Sequence, residues 1–299
     1  MSGKNYNKEG KKGAISASAV TRLVIWSVVF VILLGIFSAT MISEGAGFYF
    51  GQIIFGDRDY DDEDFLVGSG STHEKIHELS IEWVSGHVTV EVTDGDKILI
   101  SEDYDGAESS QRLRWRVENG ELTVVYAKAS LRGNSVKAKN LTVAIPESML
   151  KGLEEIHVST VSASQDIRVS AKELEIDTVS GRVTVLGEYD SVEMDMVSGD
   201  LQFDGTADQI SIDGTSAKAE LHLREQAMLV EMNSVSGGLT MILPETTTGF
   251  RVDTSRLSGE TDVRGFDLDR NDSLWGDGGM KIELNGVSCK LIVEKETNS

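Results

Sequence analysis

Three aspartates recur at an interval that could build a metal-binding ladder. Asp177, Asp195 and Asp213 are 18 residues apart, and Glu175 and Glu193 share this spacing. If each 18-residue unit is one layer of a stack, these carboxylates lie about 5 Å apart and repel by roughly 1 kcal/mol per exposed pair in water. The columns are therefore interpreted either as a ladder for Ca²⁺ or a cationic partner, or as a solvated face that keeps the protein soluble.

A second group of possible calcium ligands lies near the C-terminus. Asp267, Asp269 and Asn271 alternate along the chain as the oxygen ligands of a calcium loop do, although Asp272 follows where an EF-hand needs glycine. Trp275, shortly after, could contact a partner or cover the end of the core. Metal binding, partner contact and simple loop packing all stay open for this segment.

The element that positions these residues is a repeated frame centred on a serine, most often Val-Ser-Gly. From the second copy onward, successive serines are 18, 18, 18, 20, 22 and 30 residues apart. A period near 20 is typical of stacked repeats. None of the serines lies in Gly-x-Ser-x-Gly, and eight near-identical copies indicate structural corners rather than nucleophiles. The corner serines are Ser85, Ser162, Ser180, Ser198, Ser216, Ser236, Ser258 and Ser288.

Hydrophobic residues alternate with polar ones on both sides of each serine. The positions six and four before it and three and five after it are apolar in 29 of 32 cases, the exceptions being Gln165, Thr254 and Thr261. Period-two alternation is typical of a strand with one buried face. A small residue follows every serine, which suits a tight corner with closely stacked backbones. Each copy is therefore predicted to be strand, corner, strand, with the hydroxyl bonded to local backbone groups.

The regular period favours an all-β, parallel β-solenoid with coils of roughly 18–22 residues over an antiparallel meander, because stacking enforces coil length. Residues 156–299 are predicted to form the regular solenoid. Residues 73–155 are predicted to form an N-terminal cap of longer, partly antiparallel coils that protects the strand edges. Asn119-Gly120 between two alternating segments predicts a hairpin in this cap.

Residues 23–42 form an uncharged apolar segment of 20 residues, about 30 Å long as a helix and so long enough to cross a bilayer. We expect an uncleaved transmembrane helix, with a cleavable signal peptide as the alternative. Residues 1–22 are then a basic cytoplasmic tail and residues 43–72 an acidic juxtamembrane linker. The remaining domain is expected to be extracytoplasmic at the cell membrane.

The charge distribution excludes one class of partner. The net charge is −21; residues 1–42 carry five lysines and arginines against Glu9, a net of +4, so the rest carries −25. Nucleic-acid binding requires a basic surface and is therefore not expected. Cys289 is the only cysteine, so no intrachain disulfide forms. A polysaccharide-cleaving enzyme is disfavoured because the outward positions hold few basic residues, Arg168 among them.

The repeated Val-Ser-Gly-x-Val-x-Val, the segment 141–146 and the late segment 287–291 resemble bacterial "putative adhesin" families of β-strand-repeat proteins, the DUF4097 type, over about residues 73–299. The resemblance implies a β-solenoid ectodomain, often on one transmembrane helix, with no catalytic residues. Some relatives look linked to cell-envelope stress systems. The chain departs from the family pattern at Cys289, where glycine is usual, and in 12 extra residues between Ser258 and Ser288.

Together these observations predict a non-catalytic cell-surface protein that binds a protein or an envelope polymer as an adhesin or envelope-binding module. The alternative is a regulatory or sensing component of an envelope-stress system. Because the tail of 22 residues is too short for a signalling domain, such a component would act through a membrane partner. No cofactor is predicted apart from the Ca²⁺ discussed above.

Overall fold

The computed structural model describes residues 64–104, 106, 109–127, 137–269 and 273–296. These residues are almost entirely β-strand, which confirms the predicted all-β class. Their helical content is one 3₁₀ turn (Ser109–Gln111) and one four-residue helix, α1 (Glu147–Leu150). Within the described ranges, no helix has the length and apolar character needed to span a bilayer. The predicted tail and transmembrane helix, and most of the predicted linker, lie outside these ranges.

Fourteen strands of the described residues join one continuous sheet. They are β1 (Leu66–Val67), β2 (Gly70–Thr72), β3 (Glu78–Thr93), β4 (Ile98–Glu102), β5 (Arg114–Glu118), β6 (Glu121–Val125), β7 (Lys139–Pro146), β8 (Glu155–Ile167), β9 (Glu173–Leu223), β10 (Leu229–Leu243), β11 (Gly249–Ser258), β12 (Thr261–Arg264), β13 (Leu274–Gly276) and β14 (Met280–Lys295).

The serine-centred copies pair in parallel and in register. Strand β8 pairs with β9 at an offset of 18 residues, Glu155 opposite Glu173, and β9 pairs with β10 at an offset of 20, Gln209 opposite Leu229. The strands continue through the corners, and β9 alone passes through three of them. Equivalent frame positions of neighbouring copies therefore lie side by side, so that each copy forms one layer of a stack.

The layer order departs from the sequence order at the C-terminal end. Strand β14 lies between β10 and β11, since Ser288 pairs with both Ser236 and Ser258. The Ser258 layer is therefore the outermost one of the described sheet at this end. Its inward positions carry Thr254 and Thr261, and Thr254 is exposed above the buried Leu284. These two exceptions to the apolar pattern have a simple physical reason: one side of a terminal layer faces water.

The opposite end is covered by hairpins. Strands β6 and β7 pair in parallel with β3, and β5 and β4 cover them in antiparallel pairing. Asn119 and Gly120 connect β5 to β6 with φ values of 51° and 85°, which confirms the predicted hairpin. Strands β1 and β2 extend this cover by pairing with β5 and β4. The last residues of the predicted linker thus belong to the sheet, where the buried Phe65 packs on Val125.

One contiguous core runs through the stack from Ile76 to Val293. The position six residues before each serine is buried in all eight copies. Gln165, the third exception to the apolar pattern, lies inside this core and donates to the Thr160 hydroxyl at 2.8 Å, which in turn donates to Thr178 at 2.9 Å. The amide nitrogen of Gln165 is thus hydrogen-bonded inside the core, whereas its buried Oε1 has no hydrogen-bond partner among the described residues.

Candidate functional site: an outward carboxylate face

The corner serines connect adjacent layers. The hydroxyls of Ser162 and Ser180 donate to the carbonyl oxygens of Val84 and Val161, and Ser258 donates to Val287, at 3.3–3.5 Å. Each carbonyl belongs to the residue before the serine of the neighbouring layer. At these three serines the local turn bond expected from the sequence is replaced by a bond between layers, because in-register stacking places that carbonyl beside the hydroxyl.

One side of the stack is lined by outward residues that lie seven, five and three positions before each serine. We call this surface the carboxylate face. From the Ser162 layer to the Ser288 layer it comprises Glu155, His157, Ser159, Glu173, Glu175, Asp177, Ser191, Glu193, Asp195, Gln209, Ser211, Asp213, Leu229, Glu231, Asn233, Lys281, Glu283 and Asn285. Its side chains point away from the core because alternate residues of a strand face opposite sides.

The predicted metal candidates Asp177, Asp195 and Asp213 lie in one column of this face. Burial, together with repulsion from Asp213 and Asp177, raises the pKa of Asp195 to about 7. Oδ1 of Asp195 is buried and has no hydrogen-bond partner within the described part of the chain. The column therefore concentrates negative charge on a rigid surface, and Asp195 keeps its proton up to a much higher pH than an ordinary aspartate.

A histidine joins the carboxylates at one end of this column. His157 lies opposite Glu175 in the β8–β9 register, and its Nε2 is 3.2 Å from Oδ2 of Asp177. One ligand atom from each of these three side chains can be chosen so that all lie within 4.8 Å of one another. The hydroxyl of Ser159 contacts both partners, at 3.0 Å from Nε2 and 3.2 Å from Oδ2. The hydrogen bond to Asp177 raises the pKa of His157.

In the second predicted calcium segment, the Asp269 carboxylate is bound to backbone amides. Oδ1 of Asp269 accepts from the backbone amides of Ser273 and Leu274 at 3.1 and 3.2 Å. Asn271 lies outside the described residues. Trp275 packs on Phe250 and Phe266, with ring centroids 5.7 and 4.7 Å apart, so Trp275 belongs to an aromatic cluster at the end of the core.

A buried ion pair near the hairpin-covered end was not predicted from the sequence. Nζ of Lys139 lies 2.9 Å from Oε2 of Glu102, and both side chains are almost fully buried. Trp83 and Tyr126 stand over the ammonium group, 4.9 and 4.1 Å from their ring centroids, and the Trp83 indole donates to the Lys139 carbonyl at 3.0 Å. Burial lowers the pKa of Lys139. This enclosed pair ties β7 to β4 and offers no access to a ligand.

The sequence matches the family model described as Toastrack DUF4097 over residues 74–273. The chain belongs to the Toastrack DUF4097 family. The match covers the capped end and most of the layers of this Toastrack protein, so the predicted family resemblance is confirmed.

Solved structures to which this chain is similar include three bacterial proteins. A "putative adhesin" from Bacteroides fragilis is 12% identical and covers 78% of this chain and 98% of its own, with a TM-score of 0.45. A "putative cell adhesion protein" from Clostridium sporogenes is 10% identical, with coverages of 77% and 100% and a TM-score of 0.32. A "putative lipid binding protein" from Parabacteroides distasonis is 15% identical, with coverages of 79% and 98% and a TM-score of 0.41.

At such low identities and TM-scores these similarities define no function for the Toastrack chain. Neither the family description nor the names of these structures is that of an enzyme. No curated protein matches the sequence.

The sequence analysis placed Glu175 and Asp177 in the carboxylate columns but did not single out His157 as their neighbour. A usable signal was present, because His157 and Glu175 both lie five positions before a corner serine in consecutive 18-residue copies. Two residues at one frame position of adjacent layers must be neighbours once the copies stack in register.

Proposed function

We propose that this protein is a non-catalytic cell-surface binding module, an adhesin or envelope-binding protein, whose body is a β-solenoid. Residues 23–42 anchor it in the membrane, with the N-terminus in the cytoplasm and residues from 43 onward outside. The observation that carries the proposal is the carboxylate face, a charged surface held on in-register strands. A rigid surface of one charge sign favours recognition of a partner of the opposite sign.

The partner that this surface fits is a cationic protein segment or a cationic envelope polymer. The described part of the face carries nine aspartates and glutamates, against Lys281 and the titratable His157. Association with such a partner should be fast at low ionic strength and weaken as salt is added, because exposed charges are screened within about 10 Å at 0.1 M salt.

A deletion strain complemented with charge variants tests this proposal. The face variant replaces Glu155, Glu173 and Glu193 by glutamine, and the matched control replaces Glu188, Asp190 and Glu225, three exposed carboxylates outside the face, by their amides. We expect the face variant to lose surface attachment and cross-linking to its partner, while the control variant retains both.

Two outcomes contradict the proposal. Equal attachment by both variants would show that the carboxylate face does not bind. Normal attachment of the deletion strain combined with an altered envelope-stress reporter would favour the regulatory alternative instead. Proximity labelling from the ectodomain, performed on the same strains, identifies the partner in either case.

A further inference from the structure

We propose that His157, Glu175 and Asp177 form a binding site for a transition-metal dication of the Zn²⁺ class. An imidazole nitrogen sets this trio apart from the carboxylate columns around it, because Ca²⁺ and Mg²⁺ prefer oxygen ligands alone, whereas one nitrogen with carboxylate oxygens suits Zn²⁺. The inference is independent of adhesion and of the membrane anchor.

The distances fit a small tetrahedral ion. Bonds of 2.0–2.2 Å at tetrahedral angles place two ligand atoms about 3.3–3.6 Å apart, and Nε2 of His157 lies 3.2 Å from Oδ2 of Asp177, just below this range. Glu175 supplies a third donor atom within 4.8 Å of the other two. A change of its side-chain rotamer brings this atom close enough to bind the same ion. Three protein ligands leave the fourth position to water or to a donor from a partner.

The strands hold the donors in place before an ion arrives. All three residues lie within the β8–β9 ladder, and β8 pairs on its other side with β3. Sites on rigid strands keep ligand geometry better than sites on loops. The Ser159 hydroxyl, 3.0 Å from Nε2 and 3.2 Å from Oδ2, further restricts the two side chains.

The surroundings favour a cation at this place. Glu193 and Glu155 repel the carboxylate of Glu175. Asp195 lies one layer further along the Asp177 column, and its buried Oδ1 has no hydrogen-bond partner among the described residues. A dication would relieve the repulsion between the carboxylates of neighbouring layers.

A second histidine in the same protein provides a matched control. His222 also lies near two carboxylates, but Asp204 faces its Nδ1 at 3.8 Å and Glu296 faces its Nε2 at 3.3 Å. Because these two ring nitrogens point in opposite directions, the carboxylates of His222 cannot share one ion with it. At His157, by contrast, the histidine and aspartate atoms converge on one side of the ring.

The test titrates the purified full-length chain in detergent with Zn²⁺ by calorimetry, in excess Ca²⁺ to occupy surface carboxylates. We expect one Zn²⁺ per chain, with affinity reduced about tenfold or more in His157→Gln and in Asp177→Asn, and unchanged in His222→Gln. Co²⁺ in place of Zn²⁺ should give the visible absorption of a tetrahedral site in the parent and in His222→Gln. Thermal melting in EDTA checks that every variant folds.

Three results would overturn the proposal. Zn²⁺ binding that excess Ca²⁺ abolishes would show an acidic surface without a site. Folded His157→Gln that binds as tightly as the parent would exclude the imidazole as a ligand, and an octahedral Co²⁺ spectrum would exclude the proposed tetrahedral donor set.

Discussion

At the scale of single residues, the environment decides which of several similar carboxylates has an unusual property. Asp195 and Asp200 lie in the same layer on opposite sides of the corner at Ser198, and only Asp195 belongs to the carboxylate face. Burial and the neighbouring aspartates raise the pKa of Asp195 to about 7. An unfolded aspartate has a pKa near 4, so folding makes this carboxyl hold its proton more tightly.

The raised pKa predicts a pH-dependent stability. Since the folded pKa exceeds the unfolded one, the stabilising contribution of the protonated form is fully present below about pH 4 and is lost as the pH rises through about 7. Asp195→Asn, which stays neutral, should therefore raise the melting temperature at pH 8 and have a smaller effect at pH 5. Thermal melting at both pH values measures this, with the exposed Asp200→Asn as the control. A gain for Asp200→Asn equal to that for Asp195→Asn would assign the effect to net charge alone.

At the scale of the elements, the corner of each copy is the part most restricted by stacking. Gly237 follows Ser236 with a φ of 149°, and a Cβ built on it would lie 1.8 Å from the carbonyl oxygen of Ala217 in the adjacent layer. Ala217 and Cys289 occupy the same frame position without positive φ, so individual layers satisfy the corner in different ways. Cys289 fits because Gly286 leaves room for its sulfur, which contacts the Ser234 carbonyl at 3.1 Å.

Gly237→Ala should destabilise the fold by at least about 2 kcal/mol, because the new methyl group overlaps backbone that the neighbouring layer fixes. Gly95→Ala is the control: its Cβ would meet nothing closer than the Thr93 hydroxyl at 3.6 Å, so we expect a change within about 0.5 kcal/mol. Urea unfolding followed by circular dichroism measures both. Equal values for the two variants would show that the corner relaxes around an added methyl group.

At the scale of the whole molecule, the two ends of the stack differ in construction. Hairpins cover the end that begins with β6 and β7, whereas the other end finishes in the Ser258 layer, with β13 pairing only to Gly249–Arg251. The chain reaches this outermost layer before it forms the layer beneath it, since β14 comes last in the sequence and lies between β10 and β11. The C-terminal strand therefore connects the outer layer to the rest of the core.

This order predicts a specific response to truncation. Deleting residues 280–299 removes the parallel partner of β11, so residues 249–258 should lose amide protection in hydrogen exchange. Residues 155–223 should keep theirs, because each layer of a stack contacts only its neighbours. If the layers followed the order of the sequence, the same deletion would remove only the last layer and leave residues 249–258 paired. Continued protection of residues 249–258 would contradict the prediction and indicate that β11 re-pairs directly with β10.

The sequence alone determined the layer. The alternation around each serine defined the inward and outward positions, because side chains of a strand alternate between two faces and only one face is buried. The signal for the hairpin at Asn119-Gly120 was equally local, and the structure has it as the connection between β5 and β6.

Only the tertiary structure decided which layers are neighbours. The exchange of the last two layers, the exposed Thr254 at the end of the stack and the meeting of Lys139 with Glu102 depend on contacts between segments distant in the chain. A local pattern fixes where a side chain points, but the burial and charge it experiences depend on the strand beside it. For this reason the carboxylate columns were visible in the sequence, whereas the convergence of His157 with Asp177 and the altered pKa of Asp195 required the paired layers.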